Sequence, residues 1–285
     1  MTPAHDRPTP FGSDGLRRLP LRYGIDAGTA SDARLWDWLL GGFANYAADR
    51  RAGERLLELA PSAAVIARHN SDFGARAARV LVAGHGITQL LDLGSGLPNP
   101  TADVNAIARA IDPSVRLLLV DRDPLAYAHT RSLHDDDHTR ALHADLVDID
   151  SILDHPLIVP GAPTGVLLTA ALHGLPDDTA VTRLLQRLRE RLVPGSLLVV
   201  SHLVADDVHH RTAVTDHMNT STAGQWGRIR TRAELDHLLA TFEPLDPGLV
   251  DVSHWRPDPD RGVLQTTREW AMYGGVAHLH HPCAH

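Results

Sequence analysis

The 285-residue chain contains no lysine; all 27 of its basic residues are arginine. That excludes aldolases that form a Schiff base through lysine, the internal aldimine of pyridoxal phosphate, and the lysine-dependent Walker A phosphate loop. There is one cysteine, Cys283, close to the C-terminus. A single thiol excludes an internal disulfide and a cysteine-ligated zinc site, and a frayed terminus is a poor place for a nucleophile. Long apolar runs are missing as well. The longest, near 166–172 and 197–200, fall far short of the ~18 residues that a membrane-spanning helix requires. The opening MTPAHDRPTP has no apolar signal core, so the chain is expected to be cytoplasmic and off the membrane. No dense basic tract occurs, and 35 acidic residues against 27 basic ones leave a net charge of -8. This balance argues against a nucleic-acid partner.

What remains is an ordinary globular composition, 43% hydrophobic and 22% charged, which excludes a disordered or collagenous chain. The length suits one α/β domain with an appendage. Residues 1–28 hold Pro and Gly without periodicity and are expected to form a flexible arm. Residues 29–84 predict three helices in succession. The first carries Leu35, Trp36, Leu39 and Leu40, with Ser31 or Asp32 as cap and Gly41-Gly42 as its end; the second runs from Tyr46 to Leu59; the third runs from Ser62 to Gly84.

From Gly86 the rhythm becomes strand–helix alternation. Strands are expected over 89–93, 115–121, 141–144, 165–171 and 196–203, and helices near 103–111, 125–133, 148–154 and 178–192. The runs LLLV at 117–120, VLL at 166–168 and LLVV at 197–200 do not alternate with polar residues. Strands buried on both faces read this way, so the pattern predicts a parallel sheet covered by helices, with right-handed crossovers. After Leu203 a His-rich loop is expected. A capping box then opens a helix at Thr231, and two strands follow, over 248–252 and 269–276.

The first strand ends Asp92-Leu93-Gly94-Ser95-Gly96. Glycines there let the backbone pass close under a ligand at the switch point of such a sheet. A dinucleotide turn, G-x-G-x-x-G, competes with an S-adenosylmethionine (SAM) turn, D-x-G-x-G. Asn99 stands where the third dinucleotide glycine belongs, and Asp92 would repel a pyrophosphate while attracting the ammonium of SAM. The second strand ends in Asp121, one helix and one strand after Gly96, where a carboxylate can accept both ribose hydroxyls. Asp123 with Pro124 reads as a helix cap. The third strand ends in Asp145-Leu146, where the carboxylate can take the adenine amino group and the leucine can pack on the ring. Each aspartate alone could be a helix cap; three at successive strand ends point to a cofactor.

The string LLDLGSGLP, LLLVDRDP, HADL, LLTAALHGLPDD, LVPGSLLVVSH resembles class I SAM-dependent methyltransferases. With ARLWDWLLGGFANYAADR (33–50), ARHNSDF (67–73) and WRPD with YGGVA (255–258, 273–277), it is similar to a bacterial SAM-dependent family whose substrates are mostly unassigned. The resemblance spans residues 24–278. It implies an α/β, Rossmann-like doubly wound sheet, mostly parallel with an antiparallel last strand, plus an N-terminal helical lid over 29–84 and a cofactor domain over 85–285. It implies SAM as cofactor, with S-adenosyl-L-homocysteine (SAH) as product, held by Asp92, Gly94, Gly96, Asp121, Asp145 and Leu146. Ser95, Arg122 and Ala170 are expected beside them. Phe43-Ala44 replace a polar pair common in the family.

A sulfonium is already a strong methyl donor, so catalysis is mainly positioning in a dry pocket. Trp38, Asn45 and Tyr46 are candidate substrate or lid residues, with core packing as the alternative for the aromatics. Trp36 and Phe43 are candidate apolar walls. Arg68 and Asn70 are candidates for the cofactor carboxylate, ahead of Arg50. His173 is the candidate general base and His202 a second; the alternative for His173 is a hydrogen bond to the Pro176-Asp177 turn. No metal is expected, because the histidines at 209, 210, 278, 280, 281 and 285 lack ligand spacing on a helix. The expected activity is methyl transfer to a small molecule in secondary metabolism, with SAM cyclisation or silent SAM binding as alternatives. A homodimer is the assembly entertained.

Overall fold

A computed structural model describes residues 24–175, 177–258 and 270–280. Most of the expected arm, the expected start of the last strand at Glu269, and Cys283, His281 and His285 lie outside the described residues. Local chemistry sets the helix ends. In α1 (Asp32–Leu39), Ser31 Oγ accepts from the Arg34 backbone N–H at 3.4 Å, and Gly41 at φ +82° turns the chain away. Helix α2 (Ala47–Leu59) stops just before Pro61. Helix α3 (Ala63–Arg79) runs into a single π-helical turn over Val80–Gly84.

The alternating region follows as β1 (Gln89–Leu93), α4 (Val104–Ile111), β2 (Arg116–Asp121), α5 (Pro124–His134), β3 (Thr139–His143), α6 (Ile149–Leu153), β4 (Gly165–Thr169), α7 (Asp178–Arg191) and β5 (Leu197–Val204). Asp103, Asp123 and Asp177 cap α4, α5 and α7 with their carboxylates. Strand β4 ends at Thr169, short of the expected 171, because Ala170 enters the left-handed region at φ +54°.

The stretch after Leu203, expected to be a loop, is mostly helical: α8 spans Val208–Ser221, capped by Asp207. It buries only Val214 and Met218, so its sequence carries almost no apolar stripe, and periodicity had little to detect. Then come α9 (Arg232–Leu239), opened by the expected Thr231–Glu234 capping box, two-residue strands β6 (Glu243–Pro244) and β7 (Val250–Asp251), and β8 (Ala271–His278).

The sheet order is β3-β2-β1-β4-β5-β8-β6, with β7 also on β8. Strands β1 to β5 are parallel, and β8 pairs antiparallel with β5, β6 and β7. Successive strand residues feed opposite cores. Leu90, Leu117, Leu119, Leu167 and Val199 join Ile66, Phe73 and Leu81 on one face. Leu91, Leu118, Val120, Val166 and Val200 join Leu184 and Leu188 on the other. The non-alternating apolar runs are explained by this two-sided burial. Helix α3 is therefore part of the sheet's own cover. Among the described residues no helix is long and apolar enough to cross a membrane.

Candidate functional site

The C-terminal ends of β1 to β4 open into one cavity of about 1090 Å³, which α1 and α3 also line. Asp92, near the end of β1, is 6% exposed, and its Oδ1 is buried without a hydrogen-bond partner. Burial, with smaller repulsion from Asp121 and Asp103, pushes its pKa up to about 7. An orphaned carboxylate oxygen is costly unless a donor or cation supplies what the protein does not. The ammonium of SAM fits that requirement, and a pyrophosphate does not.

Asp121 closes β2. Its Oδ2 accepts from Gly96 N–H at 2.8 Å and its Oδ1 from Asp123 N–H at 2.8 Å. Burial raises its pKa to about 6 against those two hydrogen bonds, which lower it. The carboxylate thus locks the glycine turn to the neighbouring strand while still lining the cavity. Gly94 holds φ +85°, and a Cβ there would sit 2.8 Å from the Cβ of Ala171. Gly94 and Ser95 both donate their backbone N–H to Val120 O. Asn99, in the place of the third dinucleotide glycine, donates Nδ2–H to Ser71 Oγ on α3 at 2.8 Å. That side chain ties the turn to the covering helix, a role that its loop position did not signal.

Asp145, Leu146, Arg122, Ala170 and Asn70 also line the cavity, as do Gly94, Ser95 and Gly96. Asn70 accepts from Ser201 Oγ at 2.5 Å, and Ser201 Oγ in turn accepts from Ala170 N–H at 3.0 Å. A buried chain therefore links α3, β5 and the strained end of β4. Arg122 donates to the carbonyls of Gly174 and Gln225 and lies 3.9 Å from Asp145.

Other expected residues fall elsewhere. Arg68 is exposed and off the cavity wall, because Ala67, Asn70, Ser71 and Gly74 form the inward stripe of α3. Trp38, Asn45 and Tyr46 do not line the cavity either. Trp38 packs over Gly53, where a Cβ would come within 2.2 Å of its ring. Asn45 donates to Asp37 and to Gly42 O, and Tyr46 lies under the Arg34 guanidinium at 5.2 Å. The inward face of α1 instead presents Asp32, Trp36 and Asp37, followed by Leu40. The phase of a short helix decides which of two tryptophans meets the cavity, and their spacing alone does not reveal it.

His173 is 1% exposed and does not line the cavity. Its Nε2 lies 2.9 Å from Asp32 Oδ2 on α1; Pro176, in the turn expected to hold it, lies outside the described residues. The His173 ring lies 4.8 Å from that of Trp226, whose Nε1–H donates to Asp32 Oδ1 at 3.1 Å. His202 is fully buried; burial and the Arg230 charge hold its pKa well below the usual imidazole range. Arg230 Nη1 donates to His202 Nε2 at 3.2 Å. No group of three or more potential metal ligands gathers among the described residues.

Comparison with known proteins agrees with this geometry. A model of the S-adenosyl methyltransferase family matches residues 20–280. A crystal structure of a candidate methyltransferase from Thermobifida fusca is 31% identical, with a TM-score of 0.79 over 91% of this chain and 98% of that one. A DUF574 family protein from Streptomyces avermitilis is 30% identical, with a TM-score of 0.80 over 89% and 99%. A search of curated proteins finds no match. With an acidic, glycine-turned cavity that suits SAM and a family match over nearly its whole length, the chain belongs to the S-adenosyl methyltransferase family, enzymes whose cofactor is S-adenosyl-L-methionine.

Proposed function

We propose that the cavity at the strand ends binds SAM and a small-molecule acceptor together, and that the enzyme methylates that acceptor in the cytoplasm as a step of bacterial secondary metabolism. The observation that carries the reading is the buried Asp92 carboxylate, with one oxygen unpartnered, beside Asp121 on the adjacent strand. When bound, SAM supplies an electrophilic methyl on a sulfonium. Asp92 receives the ammonium, Asp121 the ribose hydroxyls, and Asp145 with Leu146 the adenine. Gly94, Ser95 and Gly96 bring backbone under the ligand, and Asn70 and Ala170 close the far side.

The volume supports a shared site: about 1090 Å³ exceeds the upper end of the roughly 300–1,000 Å³ usual for one ligand. Residues 29–84 act as the cover and residues 85–285 as the cofactor domain. The cover excludes water and holds the acceptor in line with the methyl, which is most of what the reaction requires. Calorimetric titration with SAH tests the cofactor half; no binding, together with no effect of Asp121→Ala, would reject it. Incubation with SAM and an extract of small metabolites tests the rest. SAH formation with a product heavier by one methylene is expected; SAM consumption without such a product would reject methyl transfer.

A further inference from the structure

The cavity wall formed by α1 has a definite chemistry. Asp32, the first residue of α1, reaches it with a side chain 27% exposed. Each of its oxygens is held from behind, one by Trp226 and one by His173, whose side chain is fully buried. The carboxylate is thus fixed in place on the cavity wall. The sequence made His173 the reactive group, but the geometry reverses the order: the carboxylate faces the ligand, and the imidazole positions it.

Around Asp32 the wall is acidic and apolar. Asp37 stands five residues further along α1, and Trp36, Leu40 and the 97% exposed Phe43 supply flat or greasy surface. The two arginines nearest this wall are engaged. Arg34 is buried against Asp49, with Nε 3.1 Å from the carboxylate and Nη2 2.5 Å from Thr29 O. Arg122 is held by Gly174, Gln225 and Asp145. Among the described residues, an anionic acceptor would find carboxylates and no free guanidinium at this wall. A cation on a flat apolar body would find a fixed carboxylate and aromatic faces, which attract cations.

Resting on the cofactor reading above, we infer that the acceptor is an amine-bearing molecule with a planar apolar body, docked through its ammonium on Asp32, with His173 as the positioning residue behind it. The experiment is calorimetry on the full-length protein saturated with SAH, titrated with tryptamine, tryptophol and indolepropionate. These three share an indole and differ in carrying an ammonium, a hydroxyl or a carboxylate. Tryptamine is expected to bind tightest and indolepropionate weakest. Asp32→Asn should weaken tryptamine by about tenfold or more, the loss of one charge-assisted contact, and change tryptophol little. His173→Gln, which keeps a donor toward Asp32, should retain the tryptamine preference; His173→Leu should lose it.

Because Asp32→Asn also alters the contacts to Trp226 and His173, the ranking of the three probes on the wild-type protein is an independent measurement. Indolepropionate binding as tightly as tryptamine, no tryptamine binding at all, or a tryptamine affinity untouched by Asp32→Asn would each overturn the inference. SAH binding without tryptamine binding sinks the inference alone, whereas failure of SAH to bind brings down the cofactor reading and the inference with it.

Discussion

The carboxylates of Asp92 and Asp121 stand near the ends of adjacent parallel strands, and the charge of the second adds to burial in holding the first at a pKa of about 7. Two acidic groups in one wall make a strong cation site, but only when both are ionised. The free protein near neutral pH therefore carries a proton that an ammonium ligand must displace.

That proton gives a measurable linkage. Asp92 ionises in the free protein at about 7, and an ammonium favours its ionised form, so its pKa falls on binding. SAH affinity should drop as pH falls below about 7, by up to about tenfold per unit, and more steeply once Asp121 protonates near 6. Above 7 it should level off. Calorimetry at a pH of about 6 in buffers of different ionisation enthalpy should register proton release; proton uptake would contradict the assignment of Asp92.

The same carboxylate opposes folding. Its pKa rises from the ordinary 3.8 to about 7 on folding, so the folded state holds the proton more tightly. Stability from this group is full below about 4 and is lost as pH climbs through 7. At a pH of about 8 the penalty is on the order of 4 kcal/mol. Asp92→Asn should therefore raise the Tm of the free protein at that pH, with the gain shrinking toward pH 4, while SAH affinity falls by about tenfold to a hundredfold. Thermal melts and titrations on the one variant check both signs.

Much of this was legible in the residues, and what was not has physical reasons. The unbroken apolar runs of β2, β4 and β5 reported a sheet covered on both faces, and the aspartates at three strand ends all reach the cavity. Acidic residues after a strand are placed by backbone topology, which a sequence pattern encodes. Residues on the covering helices are placed by helical phase and tertiary docking. A shift of two positions separates Asn70 from Arg68 and Trp36 from Trp38. Asp32 read as a cap because its partners, His173 and Trp226, are remote in the chain.

The glycine turn separates steric from conformational demands. At Gly94 an alanine would suffer both a positive φ of 85° and a Cβ contact of 2.8 Å with Ala171. At Gly96 the φ is 65°, and nothing lies within 4 Å of an added Cβ. Gly96→Ala should lower stability by about 1–2 kcal/mol, the usual left-handed penalty. Gly94→Ala should add overpacking of about 1–3 kcal/mol to that. Chemical denaturation of the two variants checks the order; equal losses would mean that Ala171 yields freely.

The wall that presents Asp32 depends on a buried ion pair at the α1–α2 corner. Asp49 is fully buried and Arg34 3% exposed. The Asp49 carboxylate accepts from Arg34 Nε, from Ser31 N–H at 2.9 Å and from Tyr46 N–H at 2.7 Å, so it joins the start of α1 to the start of α2. Asp49→Ala would strand a buried guanidinium and two backbone donors together, and should cost about 3–5 kcal/mol. Arg55 and Glu58 also form a pair on α2, but with side chains 56% and 65% exposed. Glu58→Ala should change stability by less than about 1 kcal/mol. Urea denaturation of both variants measures the contrast, and a small loss for Asp49→Ala would show that α1 is held by its apolar face alone.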